Sequence, residues 1–168
     1  MSCKNSEILQ KIRKIADYQF GKGVGEFFFP ENVLVVLSKR TGKIRHVYLD
    51  KTLIATLKPT DSLFSLTVDG GERVLKCMKI PRLWVQVQED VSPLIEKGGD
   101  VFAKHVVDAD NEIRPMEEVI VLNKERKVIA VGKAMLSGEE MITFKHGVAV
   151  KVRRGKLRKL KILQQNIK

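Results

Sequence analysis

Cysteine is scarce in this chain of 168 residues. Cys3 and Cys77 are the only two, so they form at most one disulfide and cannot build a Cys-rich zinc site or a disulfide scaffold. Aromatic residues make up 6%, with Trp84 the one tryptophan. No apolar run approaches the roughly 20 residues that a membrane-spanning helix needs. The N-terminus, MSCKNSEILQKIRK, has no uninterrupted apolar core and does not read as a signal peptide. A cytoplasmic protein is expected. His46, His105 and His146 are scattered, with no i, i+4 partner and no Cys neighbour. Asp61 and Asp69 fall in turn-like stretches, where Asp is favoured for its own hydrogen bonding and not for proton transfer. There is no P-loop, dinucleotide fingerprint or nucleophile elbow. The expectation is therefore no catalytic residue, no metal and no cofactor.

What is present is positive charge. The formal net charge is +11. Residues 151–168 hold eight Lys or Arg and no Asp or Glu, which leaves +3 for the rest (11 − 8). A field concentrated in this way draws polyanions through counterion release and steering. A merely solvated tail is the competing reading.

Residues 5–20 carry Ile8, Leu9, Ile12, Ile15 and Ala16 at helical spacing, with Asn5 or Ser6 as cap. Gly21, Gly23 and Gly25 stop that helix. At least two rings of Phe27, Phe28 and Phe29 belong in a core or an interface, because an exposed triple Phe invites association. Residues 33–37 read as a strand buried on both faces. Strands follow at 44–49, 53–57 and 63–68, with Gly70-Gly71 as a break and 72–78 unassigned. In 83–88 the alternation puts Leu83, Val85 and Val87 on one face and Trp84, Gln86 and Gln88 on the other. Trp84 is then a domain-interface ring or a base-stacking ring. Ser92-Pro93 opens a short helix that Gly98 ends. Further strands are expected at 101–107, 119–122, 128–131 and 148–153, and Ser137-Gly138-Glu139-Glu140 opens a short helical turn. The class is α+β.

Among the cations, the alternation along 148–153 turns Val148, Val150 and Val152 inward and Lys151 and Arg153 outward, and Arg154, Lys156 and Arg158 extend the positive edge. Arg40, Lys43 and Arg45 surround a Thr41-Gly42 turn, as an RNA contact or a charged hairpin tip. The tail can form a basic amphipathic helix with Leu157, Leu160 and Leu163 on one side. That helix would lie on RNA or a membrane surface, or dock on the body or a partner.

The strings GGDVFAKHVV, EEVIVLNKERKVIAVGKAMLSGEEM and GVAVKVRRG, in that order, resemble a PUA domain, the small pseudo-barrel of RNA-modifying enzymes. DYQFGKGVGEFFF, SKRTGKIRHV and IATLKPTDSLFSLT resemble the module that precedes PUA in archaeal tRNA-guanine (archaeosine) transglycosylases. The resemblance covers residues 16–155. It implies a small N-terminal α/β module at 1–81, a PUA pseudo-barrel at 82–155 and a basic tail at 156–168. It also implies that Lys104 and His105, next to the glycine pair, lie against RNA. The catalytic barrel of those enzymes, with its Asp nucleophile and zinc site, has no counterpart in the sequence. The expected function is a non-catalytic RNA-binding protein that holds tRNA by shape and phosphate contacts. Its expected setting is beside a separate catalytic subunit in archaeosine-type tRNA modification, away from membranes. A protein-interaction or scaffold subunit is the alternative.

Overall fold

The structure, a computed structural model, describes residues 3–78 and 81–157. The chain divides into two compact units, Met1–Pro81 and Arg82–Lys168.

In the first unit, helix α1 (Cys3–Phe20) and the short α2 (Val24–Phe28) precede strands β1 (Leu34–Leu37), β2 (Ile44–Leu49), β3 (Thr52–Leu57) and β4 (Phe64–Leu66), and α3 (Val68–Cys77) follows. The strands form an antiparallel meander in chain order. Ile12, Ala16 and Phe20, four residues apart on one face of α1, are buried. The helix begins at Cys3, so Asn5 and Ser6 lie within its first turns and do not cap it. Asp17 organises the segment that follows. Its carbonyl accepts from the Gly21 amide at 3.0 Å and its Oδ1 accepts from the Gly25 amide at 2.7 Å. A Cβ at Gly25 would stand 2.1 Å from the Arg13 carbonyl oxygen, so α2 crosses α1 at backbone contact. Phe28 and Phe29 are fully buried, with Phe29 5.0 Å from the Phe64 ring, while Phe27 is 65% exposed. The carbonyls of Phe28 and Phe29 accept from Arg73 Nε at 3.0 Å and Arg13 Nε at 2.8 Å.

Two further expectations fail in this unit. β1 is not buried on both faces: it is the edge of the sheet, and three of its four residues are exposed. An apolar run says nothing about a strand's place in a sheet. Gly70-Gly71 does not break the chain but lies inside α3, which Thr67 caps by accepting from the Gly70 amide at 3.1 Å. Gly is needed at position 70 because a Cβ would stand 1.9 Å from the Ile54 carbonyl oxygen on β3. Close packing, not backbone freedom, explains that glycine.

The second unit runs β5 (Trp84–Val87), α4 (Ser92–Glu96), β6 (Val101–Phe102), a 3-10 turn (Ala103–His105), β7 (Val106–Ala109), β8 (Glu118–Leu122), β9 (Val128–Ala134), α5 (Gly138–Thr143) and β10 (Val148–Gly155). The sheet order is β6-β10-β9-β8-β5-β7, antiparallel except for β5 and β8. Its two edge strands, β6 and β7, are separated in sequence only by the 3-10 turn. The chain steps from one sheet edge to the other in three residues, so the sheet curls into a nearly closed barrel. That step also splits the single strand expected at 101–107. Leu83, Val85 and Val87 face the core as the alternation requires, and all of β8 is buried. Ser92 sits one position inside α4, whose cap is Val91, and its hydroxyl donates back to the Gln88 carbonyl at 3.1 Å. A full capping box opens α5: Ser137 accepts from the Glu140 amide, and Glu140 accepts from the Ser137 amide.

Candidate nucleic-acid interface

The basic residues fall into distinct groups once the strands are in place. Lys104 and His105 lie on the 3-10 turn between the two sheet edges, Lys104 exposed and His105 half-buried. Gln88 holds His105 from two sides. The ring Nδ1 lies 3.1 Å from Gln88 Oε1, and the His105 carbonyl accepts from the Gln88 amide at 3.0 Å. The Ala103 amide donates to the Gly147 carbonyl at 3.0 Å, so the exposed loop bearing Lys145 and His146 runs beside Lys104. A small cleft of about 180 Å³ opens next to this point, and its lining includes Leu94, Ile95, Asp100, Phe102, Lys104 and His105. Phe102 and Phe144 are partly exposed nearby in sequence to the two basic segments. Cations beside apolar and ring surface suit a nucleic-acid strand, whose phosphates need charge and whose bases need flat apolar contact.

On β10, Lys151 is exposed and stands opposite Lys133 of β9, which in turn stands opposite Glu118 of β8. Three charges thus form one row across three strands. A register irregularity lies between Val152 and Arg154. Arg153 stands there with about a third of its side chain exposed, not fully outward as the alternation suggested. Its guanidinium pairs with both carboxylate oxygens of Glu118, Nη1 donating to Oε2 at 2.9 Å and Nη2 to Oε1. Glu118 is buried, with 5% of its surface accessible. Such a pair must stay intact, since a buried carboxylate without its cation is costly. Arg153 is therefore a structural cation first. Arg154 and Lys156 are exposed, and Arg158 lies outside the described residues, with most of the tail.

Arg40, Lys43 and Arg45 are exposed at the β1–β2 hairpin of the first unit, joined there by Lys39. The hairpin is closed by the Ser38 amide donating to the Lys43 carbonyl and the Gly42 amide donating to the Ser38 carbonyl, each at 2.8 Å. Trp84 is half-buried, and the Arg126 guanidinium sits 4.8 Å from its ring centre, a cation–π pair on the polar side of β5.

Sequence reasoning missed Lys133 and Lys145. Their relevance is non-local: one comes from cross-strand register, the other from the contact at Gly147. Lys145 stands in the FKHG string that precedes β10. Nothing else in the described residues suggests chemistry. Burial pushes the Cys77 thiol above its usual range, partly offset by the charge of Arg73, so it is a poor nucleophile. No cluster of three His, Cys, Asp or Glu with metal-binding geometry occurs among the described residues. No described helix is long and apolar enough to cross a membrane.

Two family models match the chain: the patch-forming domain C2 of tRNA-guanine transglycosylase over residues 10–81, and the PUA domain over residues 84–156. The tRNA-guanine(15) transglycosylase of Methanothermobacter thermautotrophicus is 44% identical over 147 residues, which are 88% of this chain and 22% of that protein. The enzyme of the same name from Thermococcus kodakarensis is 41% identical over 152 residues, 90% of this chain and 26% of that one. The chain thus spans about a quarter of the length of these relatives. Among solved structures, a hypothetical protein of Pyrococcus horikoshii aligns over 97% of this chain and 96% of its own, with TM-score 0.73 and 24% identity. A conserved PUA domain protein from Thermoplasma acidophilum aligns over 90% and 89%, with TM-score 0.64 and 19% identity, a likeness of fold. The chain thus carries a PUA domain over residues 84–156, preceded over residues 10–81 by a C2 domain of the tRNA-guanine transglycosylase type.

Proposed function

We propose that this chain binds RNA, specifically tRNA, and holds it by shape and phosphate contacts for chemistry carried out by a separate catalytic subunit of archaeosine-type tRNA modification. In this reading residues 82–155 are the RNA-gripping domain, 1–81 the supporting module and 156–168 a basic extension. The observation that carries it is the cluster of Lys104, His105, Lys145 and His146 beside the small cleft of a PUA domain. Lys151 and Arg154 extend the positive surface along β10. The high identity to the C-terminal-type C2 and PUA portion of enzymes named for tRNA supports tRNA as the RNA. Double-helical RNA is usually recognised by shape and backbone, which suits a surface rich in Lys and Arg but poor in directional base-edge readers. Crosslinking in cells, followed by sequencing of the bound RNA, tests the identity of the ligand. Enrichment of tRNA over total RNA is expected. An RNA population no richer in tRNA than the input would overturn the assignment.

A further inference from the structure

The edge of the first unit's sheet presents a second kind of surface. Among the described residues no strand pairs with the outer side of β1. Leu34, Val36 and Leu37 are 63%, 37% and 41% exposed. Strand edges left open are ordinarily guarded by charge, proline or a bulge that twists them away, because they template pairing with another chain. β1 reads LVVL, with no charge or proline, and its one irregularity falls at its last step.

We propose that β1 pairs antiparallel with β1 of a second copy of this chain, joining two four-stranded sheets into one continuous sheet. The charges flanking the strand select this occupant. Lys39 and Arg40 follow β1 and Glu31 precedes it, all exposed. Antiparallel pairing lays the end bearing Lys39 and Arg40 of each copy beside the end bearing Glu31 of the other. A parallel arrangement would stack the two basic hairpins on each other. Side-chain direction and the flanking charges together fix the register. Val35, opposite the buried Val47 of β2, faces the covered side of the sheet, while Leu34 and Val36 face the other side. Matching faces leaves registers two residues apart, and of these the one that sets Glu31 opposite Lys39 places Val35 opposite Val35 of the second copy, on the two-fold axis, and Leu34 opposite Val36 of the second copy. The basic tail is a poor occupant, because residues 158–168 carry cations and no Asp or Glu and would meet the basic hairpin. RNA is a poor one too, since exposed Leu and Val side chains offer no ring for a base to stack on.

A four-residue strand pair is small for an interface, so the expected dimer is weak and depends on concentration. Sedimentation of the full chain should show a monomer–dimer equilibrium that Val36→Lys shifts at least about tenfold toward monomer. Val36 is partly exposed, so that variant keeps its fold. Glu31→Lys and Lys39→Glu should each weaken the dimer, and the double variant should recover it. In a background with Cys3 and Cys77 replaced by Ser, Val35→Cys should form an intermolecular disulfide when oxidised with copper phenanthroline, because opposed Cα atoms in an antiparallel pair lie within bridging range. A chain that stays monomeric at millimolar concentration, or that dimerises unaffected by Val36→Lys and without a Val35→Cys crosslink, overturns the proposal. RNA binding unaltered by Val36→Lys is compatible with it, so this test stands apart from that of the proposed function.

Discussion

The two units solve the same problem, a sheet of short apolar strands, in opposite ways. In the first, helices cover one face and the sheet is left with an open edge at β1. In the second, the sheet curls until its edge strands are neighbours in sequence, and β8 and most of β9 are buried on both sides. The difference decides what a surface residue can do in each. An open edge leaves apolar side chains and backbone groups to a partner. A nearly closed barrel withdraws them, and leaves its cations and a few rings as the exposed surface.

The sharpest way to break this comparison is to place a charge on each sheet. Val121→Lys buries an ammonium in the middle of β8 and should unfold the second unit, at a cost above about 4 kcal/mol. Leu34→Lys, on the open edge, should stay within about 0.5 kcal/mol. Urea melts followed by circular dichroism distinguish the two, and equal costs would mean that the edge is covered. Next in size is Arg153→Met, which strands the buried Glu118 carboxylate. It should cost about 2–4 kcal/mol, the lower part of the range for broken buried pairs because about a third of the Arg153 side chain is exposed. A loss under about 0.5 kcal/mol would return Arg153 to the pool of solvent-facing cations. Smaller again, Gly70→Ala should cost about 1–3 kcal/mol by pushing α3 off the Ile54 carbonyl. Hydrogen exchange should place that loss in the first unit and leave the second untouched.

Much of this architecture is written locally and is legible in the sequence. The α1 stripe of Ile12 and Ala16, the alternation of Leu83, Val85 and Val87, and the Ser137–Glu140 capping box each depend on residues a few positions apart. Two of the three Phe rings are buried as their apolar mass demands. What stays illegible depends on partners distant in sequence. β1 looks like any buried strand until its position in the sheet is known. Gly70 looks like a breaker until the Ile54 carbonyl appears beside it. Arg153 looks like a solvated cation until Glu118, 35 residues away, appears as its partner. The candidate interface divides in the same way. Lys104, His105 and Lys151 were visible as basic strand and loop residues, whereas Lys145 and Lys133 join them only through contacts at Gly147 and across β9.

The most direct measurement is a titration of the full chain with fluorescently labelled tRNA at several salt concentrations. It would compare the natural sequence with a variant carrying Lys104→Glu, Lys151→Glu and Arg154→Glu, leaving Arg153 in place. The expected result is an affinity that falls steeply and linearly on a log–log plot against salt. In the triple variant it should drop at least about tenfold, with a shallower slope, because each lost phosphate contact removes counterion release. Absence of binding by the natural sequence at low salt, or a variant with unchanged affinity and slope, would contradict it.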